Sequence, residues 1–222
     1  MVGASGCKRC GECCLQGGPA LHTQDLELVR NGHIVRNDLV TVRKGELALQ
    51  PLEKIPQPVE REFLKVRGSQ GQWRCLYYDQ EQSTCSRYRH RPLACRLLEC
   101  AEPEPLLAIT GKDLVSRFDL IAADEPILPY IREHEKQCAC PFFQEIQERL
   151  DDSAQQYQLL QELEELVNLD IRYRSVLQNR FQFTVGLEMF YLGRPIFQLL
   201  SPLGIVACQE NDRMKLTCGK TT

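Results

Sequence analysis

The chain has 222 residues, of which 43% are hydrophobic and 26% charged, and its formal net charge is −3. This composition supports a hydrophobic core and excludes a mainly disordered chain, while the small net charge indicates no particular partner. The 12 cysteines are the anomaly, because a protein of this size does not need disulfides to compensate for a small core.

The start of the chain indicates a reducing compartment. Residues 1–14 contain no apolar signal segment, since cysteines begin at Cys7, where such a segment would lie. No run of about 18 uncharged apolar residues occurs, so we expect no membrane span. We therefore predict a cytoplasmic protein, in which clustered cysteines are metal ligands or redox groups more often than disulfides.

The front of the chain is predicted to contain only short elements. Residues 1–20 indicate an irregular loop rich in glycine and cysteine. Thr23 is a candidate N-cap for a short helix, which Asn31-Gly32 would end. The later segments are predicted as one or two strands over 33–49, a strand over 72–78, a turn over 79–84 and short helical or looped pieces over 86–100.

The back of the chain is predicted to be helical. Residues 142–185 contain neither glycine nor proline. Pro141 suits the first position of one helix, and Asp151-Asp152-Ser153 predicts the cap of a second. We expect the second helix to bury Tyr157, Leu160, Leu163, Val167 and Ile171, which follow the helical period. The tail from Gly186 is apolar but interrupted, and its pattern predicts no particular element.

These patterns predict a mostly α fold with a small β element, in which an irregular, cysteine-rich metal-binding front half packs on a helical back half. We place the cysteine-cluster region at residues 1–100 and the mainly helical region at 101–222, and expect one compact unit. Charge follows the same division, with 15 basic and 11 acidic residues in front and 12 and 19 behind.

The first cysteine run carries the clearest chemical signal. Cys7, Cys10, Cys13 and Cys14 form a C-x-x-C-x-x-C-C pattern within eight residues. Two residues between cysteines let both sulfurs face one centre, and Gly11 permits the tight turn that this requires. Because adjacent side chains point in different directions, we expect Cys13 and Cys14 to share one centre only if the backbone is irregular.

The second cysteine run is evenly spaced. Nine residues separate Cys75 from Cys85 and Cys85 from Cys95, and Cys100 follows after four more. The eight cysteines of the two runs suffice for one four-thiolate centre with spare thiols, or for two centres. Alternative interpretations are inert buried cysteines, a disulfide framework and thiol redox chemistry without a metal. Metal binding best explains why four thiols crowd into one glycine-rich loop.

These motifs resemble the CxxCxxCC family, which is described as zinc- or iron-chelating and to which flagellin lysine N-methylase is related. The resemblance covers about residues 7–100 and implies that the eight cysteines are the chelating set. It rests on Cys7-x-x-Cys10-Gly11-x-Cys13-Cys14, Cys75-Leu76-Tyr77-Tyr78-Asp79, Cys85-Ser86-x-Tyr88, Arg91-Pro92-x-x-Cys95-Arg96 and Cys100.

The spacing favours iron–sulfur chemistry over zinc. Structural zinc sites usually contain two C-x-x-C pairs, whereas the second run has none. Three thiolates at i, i+3 and i+6 with a distant fourth resemble a ferredoxin-type run, and the methylase relatives are associated with a [4Fe–4S] cluster. We expect a [4Fe–4S] protein with a structural, redox or metal-carrier role. The alternatives are a zinc-binding structural or interaction module and a cluster-assisted, lysine-methylase-like enzyme.

The other four cysteines are candidates for a second centre, because Cys140-Pro141 resembles the last position of a ferredoxin run. The simpler interpretation is partial burial without a metal. The four are Cys138, Cys140, Cys208 and Cys218.

Basic residues lie between the cysteines of the second run. Residues 86–97 contain four arginines and no acid. Arg91 and Arg96 flank Cys95 and could neutralise cluster thiolates, although a solvated basic face or a nucleic-acid contact would give the same pattern. No phosphate-binding loop, nucleophile elbow or zinc-protease motif occurs, so the sequence identifies no catalytic constellation. Nucleic acid and membrane are not expected partners, and a protein partner is left open.

Overall fold

The computed structural model describes residues 7, 9–49, 53–69, 71–99 and 102–219. Within these ranges the fold is mostly α with small β elements, as predicted. The helices are α1 (Glu12–Leu15), α2 (Leu26–Arg30), α3 (Leu93–Leu97), α4 (Glu104–Ile109), α5 (Leu128–Gln137), α6 (Phe143–Asp151), α7 (Ser153–Phe181), α8 (Val185–Leu192) and α9 (Ile196–Leu200). The strands are β1 (Leu39–Val42), β2 (Leu47–Ala48), β3 (Gln57–Pro58), β4 (Phe63–Val66), β5 (Tyr78–Asp79), β6 (Thr84–Cys85), β7 (Ile205–Glu210) and β8 (Arg213–Cys218).

The strands form two-stranded antiparallel sheets, with the pairs β1–β4, β2–β3, β5–β6 and β7–β8. In the first sheet Leu39 lies opposite Val66, and all four residues of β1 are buried. Burial is complete because α8 covers the strand, and the hydroxyl of Thr41 donates to the carbonyl of Phe190 at 2.5 Å. Gly186 makes the close approach of α8 achievable, since a Cβ there would lie 2.3 Å from the carbonyl oxygen of Asn37.

The predicted helical pair is present as α6 and α7, which pack against each other. Asp152 caps α7 as expected, because its Oδ1 accepts from the backbone N–H of Ala154 at 2.9 Å. The predicted buried stripe is wrong at Tyr157, whose side chain is 73% exposed. It is confirmed at Leu163 and Val167, while Leu160 and Ile171 are half-buried. The buried positions of α7 are Leu159, Leu163, Val167, Asn168, Asp170, Arg174 and Leu177.

Two front-half expectations are changed by tight turns. The expected cap at Thr23 is wrong, because Thr23 is the first residue of a 3-10 turn that His22 precedes as the cap. Helix α2 follows and ends at Arg30, with Asn31 as its C-cap, as expected. The strand expected over residues 72–78 is wrong except at its end, where β5 begins. Ser69 and Arg74 close a turn through a backbone hydrogen bond of 2.8 Å, which prevents an extended chain there.

The unassigned tail forms α8, α9 and the β7–β8 hairpin. Asn211 occupies the hairpin turn with φ 53°, a backbone conformation that asparagine tolerates. The hairpin packs on α7, so that Ile205 and Leu216 join one apolar cluster with Leu163 and Val167.

A larger apolar cluster joins the front and back of the chain. It combines residues such as Leu21, Ile34 and Leu64 with Ile131 of α5 and Phe190 of α8. Burial of these side chains stabilises both regions together. Among the described residues, no helix is both long enough and apolar enough to cross a membrane.

Candidate metal centre

The first cysteine run is shaped by the contact between Gly11 and Tyr78. Gly11 caps α1 with φ 82°, and a Cβ at this position would lie 1.9 Å from the hydroxyl oxygen of Tyr78. Only glycine fits both constraints. Because α1 begins immediately after it, Cys13 and Cys14 lie in one helical turn with their Sγ atoms 4.0 Å apart. The expectation that adjacent thiols diverge is therefore wrong here.

Three further thiols reach α1 from separate segments. The backbone N–H of Cys75 donates to the carbonyl of Cys14 at 2.7 Å, which fixes Cys75 beside α1. Cys85 lies on β6 directly opposite Tyr78 of β5. Cys95 lies in the middle of α3. We call Cys13, Cys14, Cys75, Cys85 and Cys95 the front thiol group.

The buried Asp25 carboxylate positions the helix that carries Cys95. Its Oδ1 accepts from the backbone N–H of Leu93, the first residue of α3, at 2.7 Å. Its Oδ2 accepts from the backbone N–H of His22 at 2.9 Å. Sequence reasoning missed this role because the contact between Asp25 and Leu93 joins residues 68 positions apart.

The thiols of the group act on one another electrostatically. Burial, with added repulsion from Cys85 and Cys13, raises the pKa of Cys75 to about 11. Burial and the thiolates of Cys75, Cys13 and Cys85 raise the pKa of Cys95 well above its ordinary value. The hydrogen bond from Cys14 lowers the pKa of Cys13 to about 6, and the same bond raises the pKa of Cys14. Several thiolates can coexist here only with a compensating cation.

Arg91 is one cation close to the group. Its guanidinium donates to the carbonyl of Cys95 at 3.3 Å and lowers the pKa values of Cys13 and Cys95. Arg91 and Arg9 stack on Tyr88, at 4.2 and 4.4 Å from the ring centroid. This stacking ties the loop before α1 to the segment that carries the second run.

Arg96 has a different setting from Arg91. Its Nη2 lies 4.0 Å from Oδ1 of Asp25, and half of its side chain is exposed. Arg96 therefore acts first on the carboxylate that holds α3.

Lys65 is a second cation that sequence reasoning missed. It lies on β4, where burial and the charge of Arg194 lower the pKa of its ammonium group. Its charge in turn lowers the pKa of Cys75. Lys65 alternates along β4 with the buried Leu64 and Val66, so the sequence could predict which face of the strand its side chain occupies. The sequence could not predict that a thiol lies near that side chain.

The remaining cysteines of the predicted chelating set have other placements. Cys7 is half-buried and Cys10 exposed in the loop before α1. Cys100 lies outside the described residues. The structure thus groups five of the eight thiols. The eleven described cysteines are all free, so no disulfide framework is present among them.

The structure does not bring together the four thiols predicted for a second centre. Cys138 is fully buried, and Cys140 packs against Gly45. Cys208 and Cys218 are exposed on the β7–β8 hairpin, opposite Lys215 and Ile205 respectively. The last two thiols therefore lie on opposite faces of the hairpin and about 10 Å apart along it, too far to bind one ion.

The front thiol group is wider than a single-ion site. Thiolates around one tetrahedral zinc, at Zn–S distances of about 2.3 Å, lie roughly 3.8 Å from one another. The pair Cys13–Cys14 is near that spacing, but among the described residues no three of these sulfurs lie within 4.8 Å of one another. The group therefore offers one pair of sulfurs near the spacing of a single tetrahedral ion, with no third described sulfur within 4.8 Å of both.

Comparison with known proteins identifies one family. The CxxCxxCC family model, described as "putative zinc- or iron-chelating domain", matches residues 6–138, which is more than half of the chain. No curated protein and no solved structure matches the chain.

Proposed function

This chain belongs to the CxxCxxCC family, and from that premise we propose that its front thiol group holds an iron–sulfur cluster, [4Fe–4S], in a structural, redox or metal-carrier role. The observation that carries the proposal is the convergence of five free thiols from α1, β6, α3 and the loop after β4. We draw the ligands from Cys7, Cys10, Cys13, Cys14, Cys75, Cys85, Cys95 and Cys100.

The charge around the group supports a cluster. A [4Fe–4S] centre with four thiolates is anionic, and nearby cations and hydrogen-bond donors tune its reduction potential. Arg91 lowers the pKa values of Cys13 and Cys95, and Lys65 lowers that of Cys75. When bound, the cluster would supply one-electron transfer or a cross-link between the segments that carry the thiols.

Zinc is the second candidate metal, and the pair Cys13–Cys14 favours it. Their Sγ separation of 4.0 Å is close to the edge of a zinc tetrahedron, which is about 3.8 Å. A zinc centre would need Cys75 or Cys95 to move toward this pair. The chain would then be a structural or interaction module.

A methylase-like activity, by relation to flagellin lysine N-methylase, is a weaker hypothesis. Such an enzyme needs a substrate pocket beside its cluster. Two surface clefts lie elsewhere in the described part of the chain, one around Pro126 and Arg132 and the other around Ser175 and Glu188. Binding of S-adenosylmethionine in calorimetry would favour the enzyme, and no binding would argue against it.

We also propose a cytoplasmic location and one compact unit formed from residues 1–100 and 101–222. Free thiols support the first, since such groups persist in reducing compartments. The apolar cluster that Leu21 and Leu64 share with Ile131 and Phe190 supports the second.

The deciding experiment is anaerobic purification followed by iron, acid-labile sulfide and zinc analysis, with an absorption spectrum of the same sample. We expect iron and sulfide near 4:4 per chain and a brown protein, since this composition defines one [4Fe–4S] centre. Colourless protein with one or two zinc ions would establish the zinc alternative. Soluble, folded protein without metal would contradict both.

A matched pair of variants assigns the metal to the front thiol group. Cys13→Ser removes a grouped thiol, whereas Cys208→Ser removes an exposed thiol on the hairpin. We expect the first variant to lose most of its iron and the second to keep it. Equal iron in both variants would place the cluster elsewhere.

A further inference from the structure

The back half contains a buried group of metal-ligand side chains that is separate from the front thiol group. His134 lies on α5, Cys138 immediately follows α5, and Asp170 lies in the middle of α7. All three have a relative exposure of 0%. One potential ligand atom from each lies within 4.8 Å of those of the other two.

Helix geometry sets this arrangement. The backbone N–H of Cys138 donates to the carbonyl of His134 at 2.8 Å, so the two side chains follow each other by one turn on the same face. Asp170 faces them from α7, with Oδ1 2.7 Å from Nε2 of His134. The other oxygen, Oδ2, accepts from the backbone N–H of Ile196 at 2.9 Å, at the start of α9.

Protein contacts leave this group incompletely satisfied. Nδ1 of His134 is buried and has no hydrogen-bond partner among the described residues. In the tautomer in which Nε2 donates to Asp170, Nδ1 carries a bare lone pair away from water. Buried polar atoms without partners are rare because they lose hydration without compensation. The Sγ of Cys138 also makes no hydrogen bond within the described ranges.

Neighbouring charges allow a cation here. Arg174 contacts Asp170 at 2.9 Å, but it also pairs with Glu188 at 2.9 Å. Arg43 donates to the carbonyl of Cys138 at 2.8 Å and lies 3.8 Å from a carboxylate oxygen of Glu135. Arg174 thus has a carboxylate partner besides Asp170, and Arg43 shares Glu135 with Arg117, which lies 2.6 Å from it. The charge of Asp170 and a thiolate at Cys138 would together balance a divalent ion.

We propose that His134, Cys138 and Asp170 form a second metal site, for a zinc ion bound by nitrogen, sulfur and oxygen. Zinc accepts all three ligand types, whereas magnesium and calcium prefer oxygen ligands and retain water. Binding requires the neutral tautomer of His134 with its proton on Nδ1, so that the ion replaces the hydrogen bond between Nε2 and Asp170. The thiol proton of Cys138 leaves to solvent. The ion cross-links α5 to α7, and through Asp170 to the start of α9. The site replaces the four-cysteine second centre, of which it keeps only Cys138.

The test is zinc analysis and a zinc-edge X-ray absorption spectrum of the wild-type chain, purified with zinc present. We expect bound zinc whose ligand shell contains nitrogen or oxygen at about 2.0–2.2 Å as well as sulfur at about 2.3 Å. We expect Cys138→Ala to lose one zinc per chain and to keep the metal of the front thiol group. Cys208→Ala, which changes an exposed thiol, keeps both.

Three results would overturn the proposal: a wild-type chain that binds no zinc, a zinc shell made of sulfur alone, or full zinc occupancy in folded Cys138→Ala. The wild-type spectrum needs no variant, so it decides the matter even if Cys138→Ala fails to fold. It also separates this proposal from the front centre, since iron and sulfide are measured independently of the nitrogen and oxygen neighbours of zinc.

Discussion

The front thiol group and the buried ion pairs of the interior balance charge in different ways. Arg43 of the front half and Arg117 and Arg174 of the back half are almost fully buried, and each lies within 4.0 Å of at least one carboxylate. In the front thiol group ionisation of one thiol raises the pKa of another, while Arg91 and Lys65 lower some of these pKa values. The ion pairs need no added ion, whereas we expect several of the thiols to ionise together only with a bound cation.

The two regions also differ in how the backbone is held. Four of the five front thiols lie on α1, β6 and α3, which contain four, two and five residues. The back half is organised by α7, a single helix of 29 residues. Short elements depend on tertiary contacts, because they have few hydrogen bonds of their own. We therefore expect a bound metal to stabilise the front more than the back.

Metal removal should produce the largest difference between the regions. Binding free energy at thiolate sites is folding free energy, about 10–16 kcal/mol for structural zinc. After chelation we expect hydrogen exchange to accelerate in α3 and at the β5–β6 pair, while the centre of α7 stays protected. Cys10→Ser and Cys13→Ser should lower metal content and solubility together. Unchanged exchange in the metal-free front would show that the front does not need metal to keep its structure.

Arg117→Met tests the buried ion pairs of the interior. Arg117 is fully buried and contacts Glu62 at 3.0 Å and Glu135 at 2.6 Å. Removing the guanidinium leaves Glu62 without its cation and, among the described residues, Glu135 with only Arg43, at 3.8 Å. We expect the free energy of unfolding to fall by about 3–5 kcal/mol in urea titrations with metal bound.

Arg149→Met is the matched control, since Arg149 pairs with Glu162 on the surface. We expect no measurable change, because solvent screens such a pair. If both variants lost the same stability, burial would not distinguish the two ion pairs.

Substitutions at two glycines distinguish the cost of backbone strain from a change in the geometry of the front thiol group. Gly11 and Gly32 have φ values of 82° and 72°, but a Cβ meets Tyr78 at Gly11 and nothing within 4 Å at Gly32. Gly32→Ala should cost about 1–2 kcal/mol and keep its metal. Gly11→Ala should cost more and also lose metal, because α1 must shift. Equal metal contents would show that the Tyr78 contact does not position the thiols.

The smallest expected effect is the change in stability with pH that comes from the carboxyl of Glu62. Burial raises the pKa of this carboxyl above its ordinary value, against the charge of Arg117. The folded state then keeps a proton that the unfolded state releases, so this contribution to stability is lost as pH rises from about 4.5 through the raised pKa.

Relative to Glu62→Gln, the wild-type chain should lose up to about 1.4 kcal/mol of unfolding free energy per pH unit in that window. Urea titrations of both proteins at several pH values measure the difference. A constant difference would mean that the pKa of Glu62 is not raised.

Local patterns predicted the parts of the fold that depend on neighbours in sequence. The α6–α7 pair followed from a stretch without glycine or proline, and the cap at Asp152 from its side chain. The buried stripe was misplaced at Tyr157, because which face a helix buries depends on what packs against it. The β7–β8 hairpin was not predicted, although Asn211-Asp212 is a turn signal between two apolar segments.

For the candidate metal sites too, the sequence predicted what depends on local spacing and missed what depends on distant contacts. Cysteine spacing predicted a chelating set, but not that Cys13 and Cys14 would converge, since this depends on the helix that starts at Gly11. The His134–Cys138 spacing of four residues on a helix was a usable signal for the second site. Its partner Asp170 could not be predicted, because that contact spans 36 positions.

The packing of α8 on β1 also sets an order of events during protein synthesis. Thr41 finds its partner, the carbonyl of Phe190, 149 residues later in the chain. At about 5–20 residues per second, the ribosome needs roughly 7–30 seconds to make that interval. The cysteines of the front thiol group, from Cys13 to Cys95, are all made before Phe190 can cover β1. A cell that makes this protein must therefore keep these thiols reduced over that interval if they are to bind metal.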